Sequence, residues 1–257
     1  MKYPGLTRRI VMLLAATALL LGFPLAAAAS ASSATTGTGW IRLAHLSPAT
    51  APVDVYLYSF GNSSAHIVLH HIAYGTVSPY EAVTAGDYSV AMRPAGAPSA
   101  SQPVLSTSVT IVAGHAYTVA GVGPRSGLRL QVMNDDLTTP SGKALVRVIQ
   151  ASLKQQTVKV SWDGMVVTSR LPFDSVTSYQ AVSPGTETVS VTASGQDANS
   201  RITLTAGTVH TLVVLDGASG LEIANLEDAA GSGQAPRGAA STGFGGTAPH
   251  GPGSPVP

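Results

Sequence analysis

The sequence predicts an all-β protein, built as two tandem small antiparallel β-sandwich domains of the immunoglobulin-like or transthyretin-like kind. Three observations carry this: short stretches of alternating polarity, glycine-centred turns between them, and a repeat of the chain upon itself. Val53, Val55 and Leu57 alternate with Asp54 and Tyr56, Val189 and Val191 with Ser190 and Thr192, and Ile202 and Leu204 with Thr203 and Thr205. Successive side chains of a strand point to opposite faces, so a period of two with Val, Thr and Tyr enrichment marks strands buried on one side. The triplets Ala85-Gly86-Asp87, Ala113-Gly114-His115, Pro184-Gly185-Thr186 and Ala206-Gly207-Thr208 punctuate these runs, where Gly can supply a positive φ. A helical stripe is missing from the mature sequence, and about seven strands in about 90 residues is the pattern of a small sandwich.

The repeat sets the domain organisation. WIRLAHLSPATAPVDVYL aligns with LVRVIQASLKQQTVKVSW at an offset of 105, pairing Arg42 with Arg147, Ser47 with Ser152 and Val55 with Val160. IAYGTVSPYEAVTAGDYSVAM aligns with LPFDSVTSYQAVSPGTETVSV at an offset of 99, pairing Tyr74 with Phe173 and Tyr80 with Tyr179. VTIVAGHAYTVAGVGPRSGLRL aligns with ITLTAGTVHTLVVLDGASGLEI at an offset of 93, pairing Gly114 with Gly207 and Tyr117 with His210. The offset drops by six at each step, so the first copy carries two six-residue extensions, which surface loops tolerate. The expected division is a first domain over 39–137, a linker at 138–142 and a second domain over 143–228.

The two ends carry no repeat. Residues 1–30 resemble a secretory signal peptide: Lys2, Arg8 and Arg9, an apolar run over 10–22, then the small-residue stretch AAAASA. That run is too short for the ~20 residues a membrane helix needs, so no stable span is expected after cleavage. Thr7-Arg8-Arg9 partly resembles a twin-arginine signal, and both the general secretory and twin-arginine routes stay open. Residues 229–257 are almost wholly Gly, Ala, Pro, Ser and Thr, too poor in apolar bulk to offset the entropy of ordering, which predicts a disordered tail. With no cysteine, disulfides, thiol catalysis and a lipidated cysteine are excluded. Without Lys2, Arg8 and Arg9 the 14 basic residues become 11 against 13 acidic ones. Such a balance, with no Lys/Arg cluster, argues against nucleic acid as a partner.

The segments RLAHLSPATAPVDVYL, AYGTVSPYEAVTAGDYSV and AGHAYTVAGVG followed by GLRLQVMNDD resemble a bacterial domain-of-unknown-function family, DUF4397, which occurs in tandem in secreted and surface proteins. The resemblance covers nearly all of the first copy and is weaker in the second, where His45, Pro48 and Asp54 become Gln150, Leu153 and Lys159. It implies compartment and β fold, and supplies no catalytic residues.

Candidate sites lie in the first copy. His45, Ser47 and Asp54 have the composition of a nucleophilic triad. Yet neighbours on one strand face sit ~7 Å apart, and no strand-to-helix elbow exposes a nucleophile. They read instead as turn chemistry in an opening hairpin. His66 and His70 share a strand face and form a candidate metal pair, with His71 on the other face. Tyr56 and Tyr58 share a strand face that could form a sugar-stacking platform, whereas Tyr74 and Tyr80 recur as Phe173 and Tyr179 and read as core, with hydroxyls that find internal partners. Asp135-Asp136 and Glu227-Asp228 lack the spaced oxygens of a calcium loop and read as solvated strand ends, and Gly121-Val122-Gly123 reads as a loop. The expectation is a secreted or cell-envelope, non-enzymatic interaction or scaffold module without cofactor, whose partner is a surface protein or a polysaccharide. A carbohydrate-binding module is the alternative and a secreted hydrolase the third reading.

Overall fold

Eight strands of the first copy divide between two sheets, and the chain changes sheet wherever a turn lets it. In a computed structural model that describes residues 37–230, β1 (Thr38–His45), β4 (Glu81–Thr84), β7 (Ala116–Val122) and β8 (Arg129–Asp135) form one sheet in the order β4-β1-β7-β8. β2 (Val53–Ser59), β3 (Ala65–Ile72), β5 (Gly86–Pro94) and β6 (Leu105–Ile111) form the facing sheet in the order β3-β2-β5-β6. The expected signal peptide and nearly all of the expected tail lie outside the described residues.

The second copy repeats the plan. β9 (Ala144–Gln150), β12 (Ser175–Val176), β13 (Gln180–Val182), β16 (Thr208–Asp216) and β17 (Leu221–Ala230) make one sheet, with β12 and β13 both on the free side of β9. β10 (Thr157–Trp162), β11 (Met165–Pro172), β14 (Gly185–Ala193) and β15 (Gln196–Leu204) make the other, ordered β11-β10-β14-β15. The last strand runs two residues past the expected boundary at 228, because Ala229 pairs with Val209 and packs on Leu145. Among the described residues the one helical turn is the 3-10 segment Arg125–Gly127, and no helix is long and apolar enough to cross a membrane.

Two expectations need correction. The stretch 41–57 is not a hairpin: β1 and β2 belong to opposite sheets, and 46–52 carries the chain across the sandwich. Proline at positions 48 and 52 and a left-handed Ala49 (φ 60°) keep that crossover from forming a strand pair. Nor is every pair antiparallel. β1 runs parallel to β7, and β9 parallel to β16, in the same relative register. Alternation of polarity says nothing about the direction of a neighbouring strand, so sequence did not reveal it.

Each sandwich has its own core. Ile41, Leu43, Val55, Leu57, Val90 and Val119 fill the first, and Val146, Val148, Val158, Val160, Val189 and Leu212 the second. A third core joins them. Ala44, Ala120, Val122 and Met133 on the outer face of β1, β7 and β8 meet Ile149, Val213, Leu215 and Leu226 on the outer face of β9, β16 and β17. The two sandwiches therefore stack back to back within one contact unit, as four layers of sheet. This explains why β7 and β9 are buried at every position and show no alternation. Sheets covered on both faces call for continuous apolar runs.

Candidate functional site

The middle of the third core holds charge rather than hydrocarbon. Arg42 and Arg147 occupy equivalent positions, point away from their own cores, and meet the opposite sandwich. Arg42 Nη1 donates to Asp228 Oδ1 at 2.6 Å, and Arg147 Nη2 donates to Asp135 Oδ1 at 2.5 Å. Each guanidinium is also tied at home: Arg42 Nε donates to Thr118 Oγ1 at 2.8 Å, and Arg147 Nε to Thr211 Oγ1 at 2.9 Å. The two threonines pass the contact on, donating to Asp135 Oδ2 and Asp228 Oδ2, each at 2.5 Å. Tyr80 donates to Asp135 at 2.6 Å and Tyr179 to Asp228 at 3.2 Å, while the rings carry Arg42 at 4.5 Å and Arg147 at 4.7 Å.

All four charges are buried, Arg42 and Asp228 at 1% and 0% exposure. Burial alone would drive the proton off Arg42, but Asp228 and Asp135, with the Tyr80 oxygen, outweigh it and hold the guanidinium firmly charged. The same holds for Arg147 beside Asp135. Burial pushes the Tyr80 and Tyr179 hydroxyls well above their usual range, so both remain donors. The expectation that Asp135 and Asp228 are solvated strand ends is overturned: one acid of each pair turns inward, while Asp136 and Glu227 are exposed. That the Tyr80 and Tyr179 hydroxyls find internal partners agrees with the sequence reading.

Around this network the interface is closed by Tyr74, whose hydroxyl donates to the Ala151 carbonyl and accepts from the Asp216 amide, both at 2.8 Å. Arg129 pairs with Asp174 at its margin, and the void left beside Met133 and Ile149 measures about 10 Å³.

His45, Ser47 and Asp54 do not assemble as a triad. Ser47 Oγ donates to the Gly123 carbonyl at 2.6 Å, and its backbone amide donates to His45 Nδ1 at 3.4 Å. His45 Nε2 lies 3.3 Å from the Ala51 carbonyl. Burial lowers the His45 pKa, partly offset by that carbonyl. In the second copy Gln150 does the same work: Oε1 accepts from the Ser152 amide at 2.7 Å, and Nε2 donates to the Gln155 carbonyl at 2.7 Å. Gly121 and Val122 end strand β7 rather than forming a loop.

Asp54 faces outward on β2 and is nevertheless buried. Its Oδ1 accepts from the His71 amide at 2.8 Å and its Oδ2 from the Gly96 amide at 3.0 Å, with His70 Nδ1 3.3 Å away. Burial opposes the charge, yet these amides and His70 outweigh it and hold the carboxyl below its ordinary range. Asp54 thereby pins both a left-handed His71 (φ 54°), where β3 slips register, and the 95–104 loop.

Tyr56 and Tyr58 stack on the same face with centroids 6.1 Å apart, and His70 meets Tyr56 edge-on at 6.4 Å. Tyr56 is buried, so half-buried Tyr58 is the member of the pair that meets solvent. Arg93, opposite Asp54 on β5, covers the pair at 4.7 Å and 6.0 Å and donates through Nε to the Ser101 carbonyl at 2.9 Å. Sequence reasoning missed Arg93, which only the β2–β5 register brings to the tyrosines. Its Nη1 and the Ser101 hydroxyl are buried without a hydrogen-bond partner. His66 takes a separate neighbour, the Tyr88 ring at 6.5 Å, while His70 is engaged with Asp54 and Tyr56. Among the described residues no three His, Asp or Glu side chains gather as a metal site. The outer cluster is confined to the first copy, since Asp54, Tyr56, Tyr58 and Arg93 correspond to Lys159, Ser161, Asp163 and Thr192.

Fold and network together define a class: a tandem double sandwich whose copies are locked back to back through reciprocal buried ion pairs. The chain belongs to the family of domains of unknown function DUF4397, which matches residues 39–161 and 144–252. No curated protein matches it. A crystal structure from Bacteroides fragilis, described as a candidate cell adhesion protein, overlaps 70% of this chain and 84% of its own at 11% identity. Its TM-score of 0.20 is too low to carry an argument.

Proposed function

We propose that this is a secreted or cell-envelope, non-enzymatic recognition module, in which the locked pair of sandwiches holds one differentiated face toward a partner at the cell surface. The observation that carries the reading is the cluster of Asp54, Tyr56, Tyr58 and Arg93 with the 95–104 loop, which the second copy lacks while keeping the lock. A side-chain set held by stacking and backbone hydrogen bonds is pre-organised, which lowers the ordering cost of binding. The signal-like stretch at 1–30 supports export, and the mature charge balance supports a partner other than nucleic acid.

Half-buried Tyr58, stacked on Tyr56 and held beside the Arg93 guanidinium, favours polysaccharide as a second reading, because an aromatic face suits a sugar ring. The test is retention of the purified chain on intact cell walls, before and after protease treatment of the walls and against isolated polysaccharide. Tyr58→Ala is expected to weaken retention about tenfold, equivalent to ~1.4 kcal/mol. Retention unchanged by both Tyr58→Ala and Arg93→Ala would remove this face from the reading. Sensitivity to protease indicates a protein partner, and retention on isolated polysaccharide the second reading. Ser47 serves a backbone carbonyl, so Ser47→Ala is expected to leave any ester hydrolysis at background.

A further inference from the structure

The second sandwich is open along one side. Between the start of the edge strand β11 in one sheet and β9 with its short edge strand β13 in the other lies a cleft of about 270 Å³. It reaches down to the buried Val148 and Val160 and is walled by Trp162, Val166, Ala181 and Val182. None of the residues lining it is charged.

Comparison of the copies explains why it exists. In the first, Leu69 sits opposite Val55 and packs on the core, and Tyr88 is buried in it. In the second, Thr168 sits opposite Val160, and Glu187 stands in the place of Tyr88. Two apolar side chains are thus lost from one end and edge of the sandwich.

The rim is apolar and exposed: β11 presents Met165, Val166 and Val167 at 76%, 53% and 40% exposure, with Met165 opposite Trp162 and Val166 opposite Ser161. Among the described residues β11 pairs with β10 alone, and β12 and β13 with β9 alone, so both edges keep a free row of backbone donors and acceptors. Free edges of β-prone apolar residues are normally blunted by Lys, Pro or bulges; 165–167 has no Lys or Pro, and its one irregularity is a register shift that leaves Val167 without a partner on β10.

We propose that this cleft accepts an extended, uncharged apolar segment of a partner protein, which adds as a strand to the free edge of β11 and lowers alternate side chains between the sheets. The neutral lining selects against a charged occupant, because a charge entering it would lose hydration without a counter-charge. The unpaired backbone selects a peptide over an acyl chain, since a strand satisfies the edge while hydrocarbon leaves it bare. Residues 231–257 of this chain are a poor match: prolines break the stretch from 249 onward, and the proline-free run 237–248 opens on Arg237 and carries four glycines, which weaken a strand. The proposal goes beyond the recognition face of the first sandwich, and the two can fail separately.

Trp162 lines the cleft, and Trp40 is the other of the two tryptophans, so Trp40→Phe leaves a single reporter in the full chain. The probe is a capped peptide of about seven residues alternating Thr and Val. A saturable shift in Trp162 emission is expected, weakened at least about tenfold by Val166→Lys or by a proline at the peptide centre, and unaffected by Tyr58→Ala. Val166 is exposed, so its replacement leaves the core intact, and amide exchange of β11 gives a second readout that should slow on binding. No emission change, an equal change with the proline peptide, or displacement of the peptide by decanoate would each overturn strand addition. So would self-association without peptide that Val166→Lys abolishes, which would assign the edge to a second copy of the chain.

Discussion

Arg42 shows how one side chain can be structural in two domains at once. Removing one partner of a buried, hydrogen-bonded pair strands the other, so Arg42→Met is expected to cost about 3–5 kcal/mol in urea unfolding. The double change Arg42→Met with Asp228→Leu should cost less than the sum of the single changes, because the stranded carboxylate is gone. Additive costs would mean that the two residues do not act as a pair. His45 gives a pH prediction. Its folded pKa is lowered, so as pH falls through the ordinary imidazole value near ~6.5 the unfolded chain gains a proton that the folded chain does not, and stability declines. His45→Gln, which copies Gln150, is expected to keep the fold and reduce the loss of urea midpoint between about pH 7 and pH 5. These roles were only partly legible. Arg42, Tyr80, Thr118 and Asp135 recur as Arg147, Tyr179, Thr211 and Asp228, and charged residues held in register within apolar strands are a signal of pairing. The acids were misread because each has an exposed acidic neighbour, and adjacent residues on a strand look alike in sequence while facing opposite ways.

At the scale of elements, strand existence was readable and sheet membership was not. Alternation identifies β2, β14 and β15, each of which has one face outside the stack, but it cannot say that β1 and β2 lie in different sheets. The unalternating runs AYTVAGV and ALVRVIQ carried the missing information, for a small sandwich with one wet face has no use for strands buried on both sides. Asp54 belongs to this scale, because it joins a strand, a slipped edge and a loop. Its depressed pKa means that its stabilisation is present above the ordinary carboxylate range and is lost as pH falls through the folded value. Asp54→Asn replaces one acceptor with a donor facing an amide. It should therefore speed hydrogen exchange at the His71 and Gly96 amides while leaving β14 and β15 unchanged. Exchange at those two amides as slow as in the parent chain would show that the carboxylate is not what holds them.

Over the whole molecule, the shared third core and the crossed ion pairs predict that both sandwiches melt together. A single calorimetric transition with matching van't Hoff and calorimetric enthalpies is the expected result, and two resolved transitions would argue that the interface contributes little. Lengthening the linker at 138–142 with Gly and Ser should leave one transition, since loop closure costs only ~0.6 kcal/mol per doubling of length. The reciprocity of the lock has a consequence for descent. Each copy carries both a cation and its complement, so the surface that one copy offers is the surface it would need to meet its twin. A duplicated gene could supply such a pair ready-made. Thereafter a substitution at Arg42 in one half must be answered at position 228 in the other, whereas the outward cluster of Asp54 and Arg93 is tied within its own half. On these terms the two halves are coupled through the middle of the molecule, and a change on one outer surface asks for no answer on the other.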